Sequence, residues 1–118
     1  MVLDLDETLI HCNENTNIPS DVILPIEFPN GEVIHAGVNI RPFADHLLSQ
    51  LTSLCEVIVF TASHACYASK VLDYLDPSGK LIHHRLFRDS CVTTEEVYLL
   101  SKSRVYILRI YRSLKIVT

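Results

Sequence analysis

The sequence predicts an α/β domain, a mostly parallel sheet covered by helices. Three observations carry that expectation. First, β-like apolar runs and helix-period segments follow one another in the order strand, hairpin, helix, strand, helix, strand. Second, two of the short apolar runs end in side chains that can do chemistry, Asp4 and Asp6 after the first, and Thr61, opening Thr61-Ala62-Ser63, after the second. Buried parallel strands read as apolar runs, and ligands gather beyond their carboxyl ends. Third, 118 residues with 48% hydrophobic and 20% charged side chains, and only 3 Gly and 5 Pro, make one packed domain and exclude a disordered, collagenous or low-complexity chain.

The elements come in this order. Residues 1–5 form a strand cut very short by its first acid at position 4. Residues 13–20 are polar and read as a loop. Residues 22–28 and 32–36 are β-like and flank Pro29, Asn30 and Gly31, where Asn-Gly is the strongest short hairpin signal because both central residues of such a turn need positive φ. Arg41 and Pro42 open a helix, proline suiting the first helical position. Phe43, Leu47, Leu51 and Leu54 give it an apolar stripe. Residues 55–60 are a second strand rich in β-branched side chains, with Cys55 as a small buried hydrophobe. Tyr67, Val71, Leu72 and Leu75 mark a second helix, ended by Asp76, Pro77, Ser78 and Gly79. Residues 84–88 make a third strand.

Charge is segregated along the chain. All 14 acids lie in residues 1–96 beside five basic residues, whereas residues 97–118 hold five basic residues and no acid. That basic end reads as a solvated segment balancing an acidic body. A pI of 5.8 argues against nucleic acid as the main partner. No apolar run reaches the ~20 residues needed to span a bilayer, and the N-terminus has no basic region of a secretory signal. Cys12, Cys55, Cys66 and Cys91 form no CxxC pair, so reduced intracellular thiols are expected. His83 and His84, adjacent on a strand, point to opposite faces and do not suggest a shared metal.

The chemistry centres on Asp4 and Asp6. Two carboxylates at a strand end can divide labour, one attacking phosphorus while the other moves protons. An anionic nucleophile meeting a phosphate ester calls for a divalent cation, and oxygen ligands with a phosphate favour Mg²⁺. The Thr61 hydroxyl is then placed to donate to a phosphate oxygen. Taken alone, an Asp-x-Asp pair is as readily a capping device.

The longer string resembles a known family. Val2, Leu3, Asp4, Leu5, Asp6, Glu7, Thr8 and Leu9 are similar to the first motif, DxDx(T/V), of the haloacid-dehalogenase phosphohydrolases. They resemble in particular the FCP/SCP-like, or NLI-interacting-factor, phosphatases that act on the RNA polymerase II C-terminal domain. Ile10-His11, Arg41-Pro42-Phe43, residues 57–63, Tyr67-Ala68 and residues 85–91 match that group's further landmarks in order. The resemblance implies a Rossmann-like parallel sheet with a small β-hairpin insertion after the first motif, one domain over 1–118 that is incomplete at both ends, and a Mg²⁺-dependent phosphoserine or phosphothreonine protein phosphatase, nuclear by analogy. It implies Asp4 as nucleophile and metal ligand, Asp6 as general acid and base with its carbonyl on the metal, Thr61 on the phosphoryl group and Arg88 near the substrate. Thr8 would steady the first loop. Val22, Leu24, Ile26, Val33 and Ile34 are candidates, by position only, for an apolar pocket beside the phosphate.

After Cys91 the landmarks fade. Leucine stands where the family has its phosphate-neutralising lysine, and Lys102, two positions on, is the nearest substitute. No acid follows Glu96 to complete a metal site. A second reading therefore stays open, a catalytically impaired relative that binds phosphopeptides or acts as a scaffold, and a third is a truncated fragment without function. Neither a membrane span nor direct nucleic-acid contact is expected, and the sequence leaves the oligomeric state undetermined.

Overall fold

A computed structural model describes residues 1–13, 15 and 17–90. Two three-stranded sheets organise them. The first is parallel, in the order β1 (Val2–Leu3), β5 (Ile58–Phe60), β6 (His84–Leu86). Val2 pairs with Ile58 and Leu3 with Val59, while Ile58 pairs with His84 and Phe60 with Leu86. The second is antiparallel, in the order β2 (Ile10–Asn13), β4 (Val33–Ile40), β3 (Val22–Glu27). Helix α1 (Ala44–Leu54) leads into β5, and α2 (Ala65–Leu75) crosses from β5 to β6, as a parallel pair requires. A single 3₁₀ turn, Arg88–Ser90, follows β6. No helix among the described residues is long and apolar enough to cross a membrane.

The core joins the layers. Leu5, Leu9, Val38, Leu48, Val57, Val59, Ala68, Val71 and Leu72 are fully buried in one cluster, and each large apolar side chain so buried contributes roughly 1.5–3 kcal/mol. The α2 stripe is the expected one, since Val71, Leu72 and Leu75 face the core and Tyr67 packs against it.

The α1 stripe is not. Phe43 and Leu54 are each 80% exposed and Leu47 is exposed too, whereas Ala44 and Leu48 are buried. The helix starts later than Pro42. Residues 41–44 form a turn closed by Ala44 N–H on the Arg41 carbonyl (3.1 Å), with Phe43 at φ 66°, so the buried face is rotated by one position. Cys55, expected in a strand and buried, is exposed and caps α1, its N–H donating to the Leu51 carbonyl at 2.9 Å. The strand proper begins only at Ile58.

The hairpin differs at its turn. Gly31 has φ 85° but Asn30 is not in the left-handed region, because Pro29 holds the preceding φ near −65° and a two-residue turn with both φ positive cannot form. Phe28 to Gly31 closes a β-turn instead, Gly31 N–H reaching the Phe28 carbonyl at 2.9 Å, and Asn30 Oδ1 accepts the Glu32 N–H at 3.0 Å. Strand β4 runs on to Ile40 and recruits β2, of which only Asn13 falls in the stretch read as a loop, with Ile10 opposite Ile40 and Asn13 opposite Gly37.

Candidate active site

The parallel register sets the geometry. β1 ends at Leu3 beside Val59 and β6 ends at Leu86 beside Phe60, so the residues that follow the three strands emerge on one rim. Asp4 and Asp6 follow β1, Thr61 and Ser63 follow β5, and Arg88 follows β6. The Thr61 N–H continues the ladder onto the Leu86 carbonyl at 2.9 Å, which anchors the second loop to the third strand.

Between Leu5 and Ile10 the chain coils tightly. The Leu5 carbonyl accepts the N–H groups of Thr8, Leu9 and Ile10, and Glu7 closes the turn at φ 63° with its N–H on the Ile10 carbonyl. A non-glycine residue there is strained by roughly 1–2 kcal/mol. Buried Leu5 and Leu9 hold the coil to the core, and Arg41 Nη1 donates to the Thr8 carbonyl at 3.1 Å. Thr8 thus joins the loop through its backbone.

Asp6 collects three hydroxyls. Its Oδ2 accepts from Ser63 Oγ at 2.6 Å and from Thr61 Oγ1 at 3.3 Å, and its Oδ1 from the Tyr67 phenol at 3.1 Å. Thr61, 1% exposed, also accepts the Ser63 N–H at 3.1 Å. Asp4 is half-buried and its Oδ1 accepts the Leu5 N–H at 2.8 Å. Burial pushes the Asp4 carboxyl above its ordinary range, the Leu5 N–H partly offsets this, and the charge of Asp6 pushes the same way as burial. Among the described residues neither carboxylate is in an ion pair; the ion pairs join His11 to Glu7, His84 to Glu56 and Arg85 to Asp73.

Arg88 braces the second loop. Its Nε donates to the Ala62 carbonyl at 2.7 Å, Nη1 meets His64 Nε2 at 2.8 Å, and its N–H reaches the Ser63 carbonyl at 3.1 Å. The acidic partner that so acidic a chain suggests for it is absent among the described residues. Lys102 lies outside the described residues. Ser63 and Tyr67 were not singled out by sequence, where one closed a motif and the other sat on a core stripe; Ser63 precedes α2 and Tyr67 lies in its first turn, so no helical spacing links them.

A groove of about 580 Å³ lies beside the rim, between the hairpin turn (Glu27, Phe28, Pro29, Gly31) and the outer side of α2 (Ala65, Cys66, Ser69, Lys70, Asp73). It contains neither carboxylate. The five hairpin side chains expected to form an apolar pocket do not line it either: Ile26 is buried, Val22 and Leu24 pack on the core, and Val33 and Ile34 are exposed. Strand alternation puts the inner members of that set under the sheet and leaves the turn residues to shape the groove. No group of three or more His, Cys, Asp or Glu side chains among the described residues could hold a metal ion. The donors available are two carboxylates and nearby backbone carbonyls.

Comparison with known proteins agrees with this arrangement. A family model described as NLI interacting factor-like phosphatase matches residues 1–115, past the last sequence landmark at Cys91. A probable C-terminal domain small phosphatase of Dictyostelium discoideum is 44% identical over 105 residues, 89% of this chain and 34% of its own length. A human carboxy-terminal domain RNA polymerase II polypeptide A small phosphatase 2 is 41% identical over 89% of this chain and 38% of its own. The chain therefore spans about a third of the length of these relatives. Among solved structures, a fission yeast RNA polymerase II CTD phosphatase Fcp1 variant bound to beryllium fluoride superposes with a TM-score of 0.64 at 26% identity, covering 75% of this chain and 29% of the other.

Proposed function

Because the chain belongs to the NLI interacting factor-like phosphatase family and has the haloacid-dehalogenase type of α/β fold, we propose that it is a phosphoprotein phosphatase working through an aspartyl-phosphate. The observation that carries this is the meeting of Asp6 with Thr61 and Ser63 across two adjacent parallel strand ends, two residues from a half-buried Asp4. Asp4 is the nucleophile and Asp6 the general acid. Asp4 Oδ2 attacks phosphorus, the ester P–O bond breaks, and the departing oxygen takes the proton of Asp6. In the second half Asp6, now ionised, draws a proton from water as it attacks the acyl phosphate and frees Asp4. Thr61 donates to a phosphoryl oxygen, and Arg88 presents the rest of its guanidinium fork toward the substrate peptide.

Two carboxylate-bearing positions and a backbone carbonyl are donors that fit Mg²⁺, which keeps waters and a substrate phosphate in its shell. The Asp4 carboxylate and the Asp6 carbonyl would hold it, and it would offset the negative charge that builds on the phosphoryl group. The substrate is phosphoserine or phosphothreonine in an extended peptide. If that peptide is the RNA polymerase II tail, as for the human relative, the site of action is the nucleus. Lys102 is the available lysine to neutralise the phosphoryl group. The chain is read as one domain over 1–118.

The test is direct. Purified chain with Mg²⁺ should hydrolyse para-nitrophenyl phosphate, and Asp4→Asn should reduce turnover to background. Equal turnover by the two proteins rejects the reading. Phosphopeptide binding that persists without turnover would favour the binding-module reading instead.

A further inference from the structure

The three hydroxyls around Asp6 differ in freedom. Those of Ser63 and Thr61 rotate about a single bond and can donate or accept. The Tyr67 phenol cannot reorient so easily. Its ring packs against the core cluster in the first turn of α2, and a phenol O–H stays close to the plane of its ring. One oxygen of Asp6, Oδ1, therefore faces a donor of fixed aim at 3.1 Å, while Oδ2 lies between Ser63 and Thr61, whose hydroxyls can turn to accept.

We propose that Tyr67 is a positioning residue for the general acid, pinning Oδ1 of Asp6 as an acceptor so that the transferable proton is carried on Oδ2, on the Thr61 side. The inference deepens the phosphatase reading and rests on it. As the Asp4 oxygen–phosphorus bond forms and the ester P–O bond breaks, the proton on Oδ2 passes to the ester oxygen. Asp6 is left as a carboxylate already met by Tyr67 and Ser63, and hydrogen bonds to an ionised group are the strong ones. Tyr67 itself exchanges no proton with substrate.

The leaving group provides the test. Serine alkoxide needs a proton as it departs, and para-nitrophenolate does not. With Mg²⁺, Tyr67→Phe should lower kcat/KM, which reports the steps up to the aspartyl-phosphate, about tenfold on a phosphoserine peptide, a fraction of the 10²–10⁴ that general acid–base catalysis supplies, while kcat/KM on para-nitrophenyl phosphate stays within about twofold. In an Asp6→Asn background the same substitution should change neither rate. Equal losses on both substrates, or a further loss in the Asp6→Asn background, would overturn the role of Tyr67. A wild-type chain that turns over neither substrate would instead sink the phosphatase reading itself.

Discussion

Burial lifts the carboxyl of Asp4 above its ordinary range, and Asp6 adds to it, so the residue proposed for attack weakens the fold. The sign follows from linkage. A carboxyl that ionises less readily folded than unfolded costs nothing below its unfolded value of about 3.9. Stability is lost as pH rises from there through the raised folded value, and the loss is constant above it. Asp4→Asn should therefore melt higher than wild type at pH 7 and converge with it as the pH falls toward 4. A wild-type advantage at neutral pH, seen by thermal unfolding, would show the carboxylate to be stabilised by partners rather than penalised by burial. A similar tension sits at Glu7 and Phe43, both non-glycine residues at positive φ. Glu7 lies inside the Asp4–Thr8 loop, where strain of this kind tends to collect.

Elements depend on a few side chains that close their ends. Asp76, 2% exposed, caps α2 and gathers the N–H groups of Lys80, Leu81 and Ile82 at 3.2, 3.1 and 3.0 Å, aiming the chain into β6. Asp76→Ala would strand the buried Ile82 donor, at roughly 1–3 kcal/mol, and leave the more accessible Lys80 and Leu81 donors to water, so a loss of about 2 kcal/mol is expected in urea unfolding, with Asp76→Asn intermediate because one oxygen remains. A loss below about 1 kcal/mol would mean that water replaces the carboxylate. Sequence made this loop legible as a helix stop but not as a built corner, since three local acceptor bonds leave no periodic trace. The same limit explains the other misses. β2 is four residues, three of them His11, Cys12 and Asn13, and it is a strand only because β4 lies alongside. Gly37 looks like a break in β4, yet a Cβ there would come within 2.5 Å of Ser20 Oγ, so it marks a close crossing. For α1, two overlapping apolar stripes, 43-47-51-54 and 44-48-51, share Leu51, and only the tertiary core decides between them. Asp4, Asp6 and Thr61 were legible because the motif is local to two strand ends; Ser63 and Tyr67 were not, because their partner is 57 and 61 residues away.

At the scale of the molecule, the rim is where separate parts of the fold are made to agree. The Leu5–Ile10 coil links the parallel sheet to the hairpin sheet through Arg41, whose N–H reaches the Leu9 carbonyl at 2.9 Å. Asp6 ties that coil to the β5 loop and to α2. None of this converges in the unfolded chain, so a ligand that needs Asp4, Thr61 and the coil together binds the native state alone and must raise its stability by linkage, about 2.7 kcal/mol at a hundred times Kd. Beryllium fluoride is a suitable probe, being tetrahedral like a phosphoryl group and able to coordinate a carboxylate oxygen. With Mg²⁺ it should raise the Tm of the wild-type chain by several degrees, given that 1 kcal/mol is worth roughly 4–8 °C in a domain of this size. Neither component alone should match that shift, and Asp4→Asn should show none of it, since the oxygen that would be coordinated is replaced by an amide nitrogen or left as a neutral carbonyl. An equal shift in wild type and variant would place the binding elsewhere, and no shift in either would mean that these strand ends, though brought together, do not make a phosphoryl site.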